Sequence, residues 1–244
     1  MGARASSVAM ANAITGIGHS LKKLNRVDEA TKVLDGAIDL LRDSGHPFMV
    51  DTLRTKASWC SEAGNWQAAL DTYLEAVRIN EIDGISEFIG RDLLSMAHCY
   101  SELGEWQKVI DASLRAREMF KSEKLVAEIS WCDLNLADAY ASLGDGESAI
   151  AWGKRANDVA MLRRDNEVIC KSNYVMARGH MVSKNYQEAE NLLEGAKDLV
   201  ARSGDWVQVR KIEKALIELY RATERENEAL EAERRLETLK EILD

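Results

Sequence analysis

Proline is almost absent. One residue, Pro47, serves 244 positions, and aromatic residues make up only 6% of the chain. Proline breaks helix interiors, and sheets draw on aromatic and β-branched side chains, so both shortages favour an all-α fold. Long apolar runs are missing as well: none approaches the ~20 residues that cross a bilayer. The cysteines Cys60, Cys99, Cys132 and Cys170 stand singly, with no CxxC pair and no close histidine. That excludes the usual zinc and disulfide frameworks and leaves reduced thiols in or near a helical core. Net positive charge is also lacking. A formal charge of -9 argues against wholesale binding to nucleic acid or anionic lipid. The N-terminus has no apolar core of a secretory signal. It does fit the M-G-x-x-x-[ST] pattern of N-myristoylation through Gly2 and Ser6, but no polybasic run follows, and one acyl chain anchors only marginally. The expectation is a cytoplasmic protein with neither nucleic acid nor membrane as a direct partner, acylation of Gly2 being the open alternative.

What the chain has instead is a repeat. Ala30, Ala69, Val109, Ala149, Ala189 and Ala229 lie 39 and then 40 residues apart. A second register follows at Ala37, Ala76, Ala116, Ala156, Ala196 and Leu236, and a third precedes at Gly18, Ala57, Ala97, Ala137, Ala177 and Ile217. Small residues at these positions let helix axes approach closely. A turn recurs in step: Gly64-Asn65-Trp66, Gly104-Glu105-Trp106, Gly144-Asp145-Gly146 and Lys184-Asn185-Tyr186. The Gly is expected to end a first helix in left-handed backbone, the Asn or Asp to cap a second helix, and the aromatic to pack back into the hairpin. The end copies, Asn25-Arg26-Val27 and Glu224-Arg225-Glu226, have drifted. First helices are predicted near 4–23, 47–63, 86–103, 125–143, 166–183 and 206–222, and second helices near 27–43, 66–82, 106–121, 147–162, 186–202 and 226–242. Short polar connectors at 43–46, 83–84, 164–166 and 202–205 separate the hairpins, with no Gly/Ser/Pro-rich linker.

These residues resemble the tetratricopeptide repeat, with its small residues on both helices, its Gly then Asp or Asn at the turn, and its aromatic next. Tyr100 and Tyr140 supply a large residue late in the first helix, and Trp59 does so one position early. The resemblance covers about residues 12–242 and is strongest in the second to fifth copies. The common period is about 34 residues, whereas this chain keeps 40 and lacks the closing proline. The extra length resembles the long-helix variety found in adaptor proteins and in sensor arms of bacterial transcriptional activators. HEAT-type repeats share a period near 40 but lack the Gly-Asn-Trp turn. The resemblance implies a right-handed α-solenoid of about six helix-turn-helix repeats in a single domain over 1–244, with repeats near 4–43, 47–82, 86–121, 125–162, 166–202 and 206–242.

It also implies a concave face, lined by first helices, that holds an extended or helical peptide. The residues expected to contact a partner there are Arg54; Arg91 and His98; Trp131, Asn135 and Asp138; Lys171, Tyr174 and Arg178; and Lys211 and Lys214. Over 36 such positions Lys and Arg number nine against five Asp and Glu, so a basic groove is expected within an acidic body. Such a groove would steer an acidic or phosphorylated peptide, with Trp131 and Tyr174 as aromatic anchors. The clamp by which some family members grip a chaperone's C-terminal carboxylate would fall on Arg54, Ser58, Ser95, Trp131 and Asn135. Only Arg54 and Asn135 suit that role, so chaperone tails are not the expected ligand.

No catalytic constellation stands out. Gly16-Ile17-Gly18 lacks the remainder of a phosphate or dinucleotide loop and reads as close helix packing, and His19, His46, His98 and His180 share no metal-ligand spacing. No enzyme activity, cofactor or metal is therefore expected. The function expected is an adaptor or scaffold binding a partner peptide or helix. The alternative is a ligand- or peptide-responsive sensor that regulates an effector. Leu216, Ile217, Leu219 and Leu236 in the last hairpin suggest an apolar end surface, leaving a homo-oligomer through the end repeats open.

Overall fold

The structure is a computed structural model describing residues 2–42, 48–85, 88–201 and 204–243, with side chains from Ser6 to Leu239 within those spans. The connector at 43–46, which includes His46, lies outside the described residues, as do Pro47, the first two residues of the helix expected from 86, and positions 202 and 203. The described residues form twelve α-helices and no strand. They are α1 (Gly2–Lys23), α2 (Val27–Arg42), α3 (Phe48–Glu62), α4 (Trp66–Ile82), α5 (Ile89–Glu102), α6 (Trp106–Glu123), α7 (Val126–Ser142), α8 (Gly146–Arg163), α9 (Asn166–Val182), α10 (Tyr186–Val200), α11 (Trp206–Ala222) and α12 (Glu226–Leu243). Odd-numbered helices are the first helices of the repeats and even-numbered ones the second.

The repeat period becomes geometry at the turns. Asn25, Gly64, Gly104, Gly144, Lys184 and Glu224 all take positive φ, between 59° and 82°. After each of them the next backbone N–H donates to the carbonyl five residues back. Arg26 donates to Leu21, Asn65 to Cys60, Glu105 to Tyr100, Asp145 to Tyr140, Asn185 to His180 and Arg225 to Tyr220, at 2.8–3.0 Å. This is the helix-ending bond that satisfies an otherwise orphaned carbonyl. The end copies have thus drifted in sequence but not in shape. The same device closes second helices at Gly84, Lys124 and Arg164, where Ile85, Leu125 and Asp165 donate to Asn80, Phe120 and Ala160; Gly204 shares the positive φ. The expected side-chain caps are only partly present. Asp145 accepts from the Ser148 N–H at 3.0 Å, whereas Asn65 and Asn185 make no side-chain cap bond. Asp165 and Asp205 cap α9 and α11 in the same way as Asp145.

Two compact units share the chain, Met1–Glu105 and Trp106–Asp244. In the first, α1 packs on α2, α2 on α3, α3 on α4 and α4 on α5. Ala30, Ala37, Ala57, Ala69 and Ala76 are fully buried there, as the small-residue registers require. Gly18 belongs to the same register, and a Cβ on it would lie 3.3 Å from the side chains of both Leu34 and Trp59, so a larger residue there would press both side chains back. Gly16 faces open space, so the close-packing expectation holds for one of the two glycines.

In the second unit, α6 to α12 pack in sequence, and α7–α9 and α9–α11 also touch directly. Its core joins Ala177, Leu193, Ala196, Ile212, Leu216, Leu219 and Ala229. Leu216, Ile217 and Leu219 are buried in that core, with Leu236 half-buried against it. The apolar end surface expected from these four residues is therefore already covered by the chain's own packing.

A polar element of the scaffold also repeats. Arg117 of α6 pairs with buried Asp133 of α7, and forty residues later Asn157 of α8 donates to Asn173 of α9 at 2.9 Å. Glu213, next in that register, is held by Arg235 at 2.9 Å. These links lash α6, α8 and α12 to first helices and pair polar groups that burial would otherwise penalise, although Asn157 Oδ1 is left without a partner among the described residues.

Candidate partner-binding face

Along a helix, residues three and four apart share a side, so Trp131, Asn135 and Asp138 form one row on α7. Lys171, Tyr174 and Arg178 form the next row on α9, and Lys211 and Lys214 the row on α11. The structure brings the α7 and α9 rows together. The Lys171 ammonium sits 4.5 Å from the Trp131 ring centroid and also donates to Glu167 at 2.6 Å. Arg178 pairs with Asp138, donates to Ser142 Oγ at 3.0 Å, and stands 5.9 Å over the Tyr174 ring. Tyr174 packs into the cores on both sides of α9, and burial pushes its phenol up. Trp131 and Tyr174 are half-buried, each with part of its ring available. The α11 row lies beyond them. Lys211 and Lys214 are exposed, with no ion pair among the described residues, while Arg221 further along pairs with Glu233.

Arg54, Arg91 and His98 belong to the first unit and form a different kind of surface. Arg54 of α3 donates through Nε to both carboxylate oxygens of Asp92 on α5, at 2.8 and 3.0 Å, and its guanidinium lies 4.0 Å over the Phe88 ring. The Asp92 side chain is only 6% exposed, and burial raises its pKa while Arg54 pulls it back down. Arg54 is thus occupied with a structural duty. His98 is exposed with its ring edge-on to Trp66 at 5.5 Å, and Arg91 is exposed one residue before Asp92. Lys22 of α1 is held by Glu62 of α3 at 2.7 Å.

The expected excess of positive charge therefore shrinks once the pairs are drawn. Lys22, Arg54, Lys171, Arg178 and Arg221 each have a carboxylate, and the uncompensated cations of the second unit's face gather on α11. Sequence reasoning missed Asp92, which was not counted on the face. The available signal was its place in the register of Cys132, Ser172 and Ile212, all buried.

Chemically, the face offers aromatic rings, cations and hydrogen-bonding side chains. All four cysteines are buried and unbonded to one another. Burial pushes Cys132 up to about 12 and Cys170 up to about 11, which keeps them as thiols at neutral pH. Among the described residues no group of three His, Cys, Asp or Glu could hold a metal, and no helix is long and apolar enough to cross a membrane.

Comparison with known proteins bears on the fold. The tetratricopeptide-repeat family profile matches residues 9–82. No curated protein matches the chain in sequence. Among solved structures, the apo form of RapI is similar with a TM-score of 0.76 at 14% identity, over 96% of this chain and 84% of that one. A Rap protein complexed with competence and sporulation factor gives a TM-score of 0.68 at 14% identity, over 95% and 76%. A putative kinesin light chain with tetratricopeptide-like repeats from Podosopora anserina gives 0.64 at 18% identity, over 79% and 95%. At these identities the likeness is one of fold.

Proposed function

We propose that the chain, whose fold is that of tetratricopeptide-like repeat proteins and whose residues 9–82 match that family's profile, is a cytoplasmic interaction adaptor. It holds a peptide or helix of a partner protein on the face formed by α7, α9 and α11. The observation that carries this reading is the α11 row. Lys211 and Lys214 are exposed cations without carboxylates, on a helix that packs against α9 where the half-buried Tyr174 sits. A partner that lays an apolar side chain against Trp131 or Tyr174 can set acidic residues on those lysines. Charge complementarity of this kind sets orientation and speeds encounter, and aromatic anchors supply the affinity. The partner's acidic stretch is accordingly short, because Lys171 and Arg178 are already paired. In the rival reading, a sensor acting on an effector, the same face is occupied but the bound peptide changes the chain's scattering profile.

The test is selection from a displayed random-peptide library on the full chain. Recovered peptides should be enriched in Asp and Glu beside an aromatic or aliphatic residue. The Lys211→Glu/Lys214→Glu variant should bind a recovered peptide at least about tenfold more weakly, with the salt dependence of binding lost. Peptides without acidic bias, or equal binding to the variant, would overturn the reading.

A further inference from the structure

On α1 a row of residues lies open at positions where the later first helices are packed. Met10, Ala13, Ile17 and Ser20 follow one another three or four apart, so they share a side of the helix. All four are exposed, Met10 and Ile17 at 54%. The same register holds Met49 and Trp59 in α3, and these pack on Ala30, Leu34, Ala37 and Leu41 of α2. In α9 it holds Met176 and Gly179, which close against Gly153 and Gly146 of α8. The counterparts of Ile17 from α5 onward, Met96, Leu136, Met176 and Leu216, are all buried. The row is thus the side by which a first helix seats on the helix before it, and α1 has no helix before it among the described residues.

We propose that a second copy of this chain lies on the row, α1 against α1, antiparallel, about a two-fold axis near Ala13. The row is complementary to itself. Pairing Met10 of one copy with Ile17 of the other leaves Ala13 at the centre, where a small residue lets the axes approach closely. Ser20 already donates to the Gly16 carbonyl at 3.0 Å, so its hydroxyl can be buried without a new partner. No Asp, Glu, Lys or Arg lies between Arg4 and Lys22, so pairing strands no charge along the row. Lys23 would meet its own copy in a parallel pair, but stands ~30 Å from it in an antiparallel one, which also opposes the two helix dipoles. The far end of the chain offers the row no comparable seat. α12 bears Glu233 and Glu237 where α2 buries Leu34 and Ile38 and α4 buries Tyr73 and Val77, a polar face of the kind that caps a stack. The row and its exposed small neighbours Ala9 and Gly16 amount to roughly 800 Å² over two copies, the size of a weak, reversible interface.

Sedimentation equilibrium of the full chain tests this. It should show a monomer–dimer equilibrium with a Kd on the order of 10 µM, in keeping with so small an area. Ile17→Glu should weaken the dimer at least about tenfold, because it places an unpaired charge in the contact. Should Ile17→Glu melt below the parent, Met10→Glu at the other exposed large residue decides. The geometry has its own readout. The four native cysteines are buried, so a thiol introduced on the row is the reactive one. Ala13→Cys should form a disulfide-linked dimer on mild oxidation, and Lys23→Cys should not. A chain still monomeric at about 500 µM overturns the proposal and assigns the row to a different protein. Growth in mass beyond the dimer overturns it in favour of head-to-tail stacking on α12. An unchanged Kd in both glutamate variants, or cross-linking of Lys23→Cys as readily as Ala13→Cys, overturns it as well.

Discussion

The junctions α4–α5 and α8–α9 occupy equivalent places in the repeat, one in each unit, and are joined differently. At α4–α5 the join is made by side chains. Trp66 begins α4 and meets the edge of His98 at 5.5 Å, and Arg54 reaches from α3 to grip Asp92 of α5. At α8–α9 the position of Trp66 is taken by Gly146, and backbones approach closely there, beside the Asn157–Asn173 hydrogen bond. A Cβ on Gly146 would stand 2.5 Å from the carbonyl oxygen of Gly179, and one on Gly153 would stand 2.6 Å from Met176. One register of small residues thus supports two kinds of joint, a charged and aromatic strut and a close backbone seam. The strut leaves its cations engaged, which is why the first unit's face offers less free charge than its sequence promises.

The strut breaks most severely at Arg54. Arg54→Ala leaves Asp92 buried without its partner and should cost about 3 kcal/mol at neutral pH, the range for breaking a buried pair. The cost depends on pH in a definite direction. Burial already holds the folded Asp92 pKa above the reference 3.8, and losing Arg54 raises it further. A raised carboxyl pKa favours the folded state at low pH and is a loss as pH rises through the interval between the unfolded and folded values. The deficit of the variant relative to the parent should therefore shrink as pH falls toward about 4, in urea titrations at several pH values. A deficit that stays constant with pH would assign the loss to Arg54 packing on Phe88 rather than to charge.

The seam breaks at Gly146. Gly146→Ala should cost about 2 kcal/mol, because the new methyl meets a backbone carbonyl that cannot swing aside. Chemical denaturation measures it. A Gly146→Ala chain as stable as the parent would mean that α8 and α9 separate freely, and the distinction between strut and seam would be lost.

Much of the scaffold was legible from residues alone. The registers through Ala30, Ala37 and Ala57 are buried throughout the first unit, and eleven of the twelve helices among the described residues begin and end within about two residues of the expected positions, α5 being the exception. Small residues and turns are local signals that recur, so six copies reinforce one another. The face was less legible. Which cation is free depends on a carboxylate some forty residues away, and a one-residue step separates Arg91, exposed, from Asp92, buried. The Asn65 cap failed for a similarly local reason. The side chain follows a backbone at ψ 62°, and the capping bond is made at Asp145, where ψ is 83°.

The smallest effects lie at the hairpin turns, where the repeat copies follow one geometry with different residues. Gly144 takes φ 82° and a Cβ added there would meet nothing within 4 Å. The cost of Gly144→Ala is then purely that of left-handed backbone, about 1 kcal/mol. Lys184 holds the same role at φ 59° and already bears that strain. Lys184→Gly should relieve it, offset in part by the greater freedom of glycine in the unfolded chain, for a net gain of about 0.5 kcal/mol. Thermal melts of the two variants should move in opposite directions, by about 3 °C down and about 1 °C up. Lys184→Gly melting below the parent would mean that the lysine side chain contributes to the turn, and that the shared φ hides a second difference between the copies.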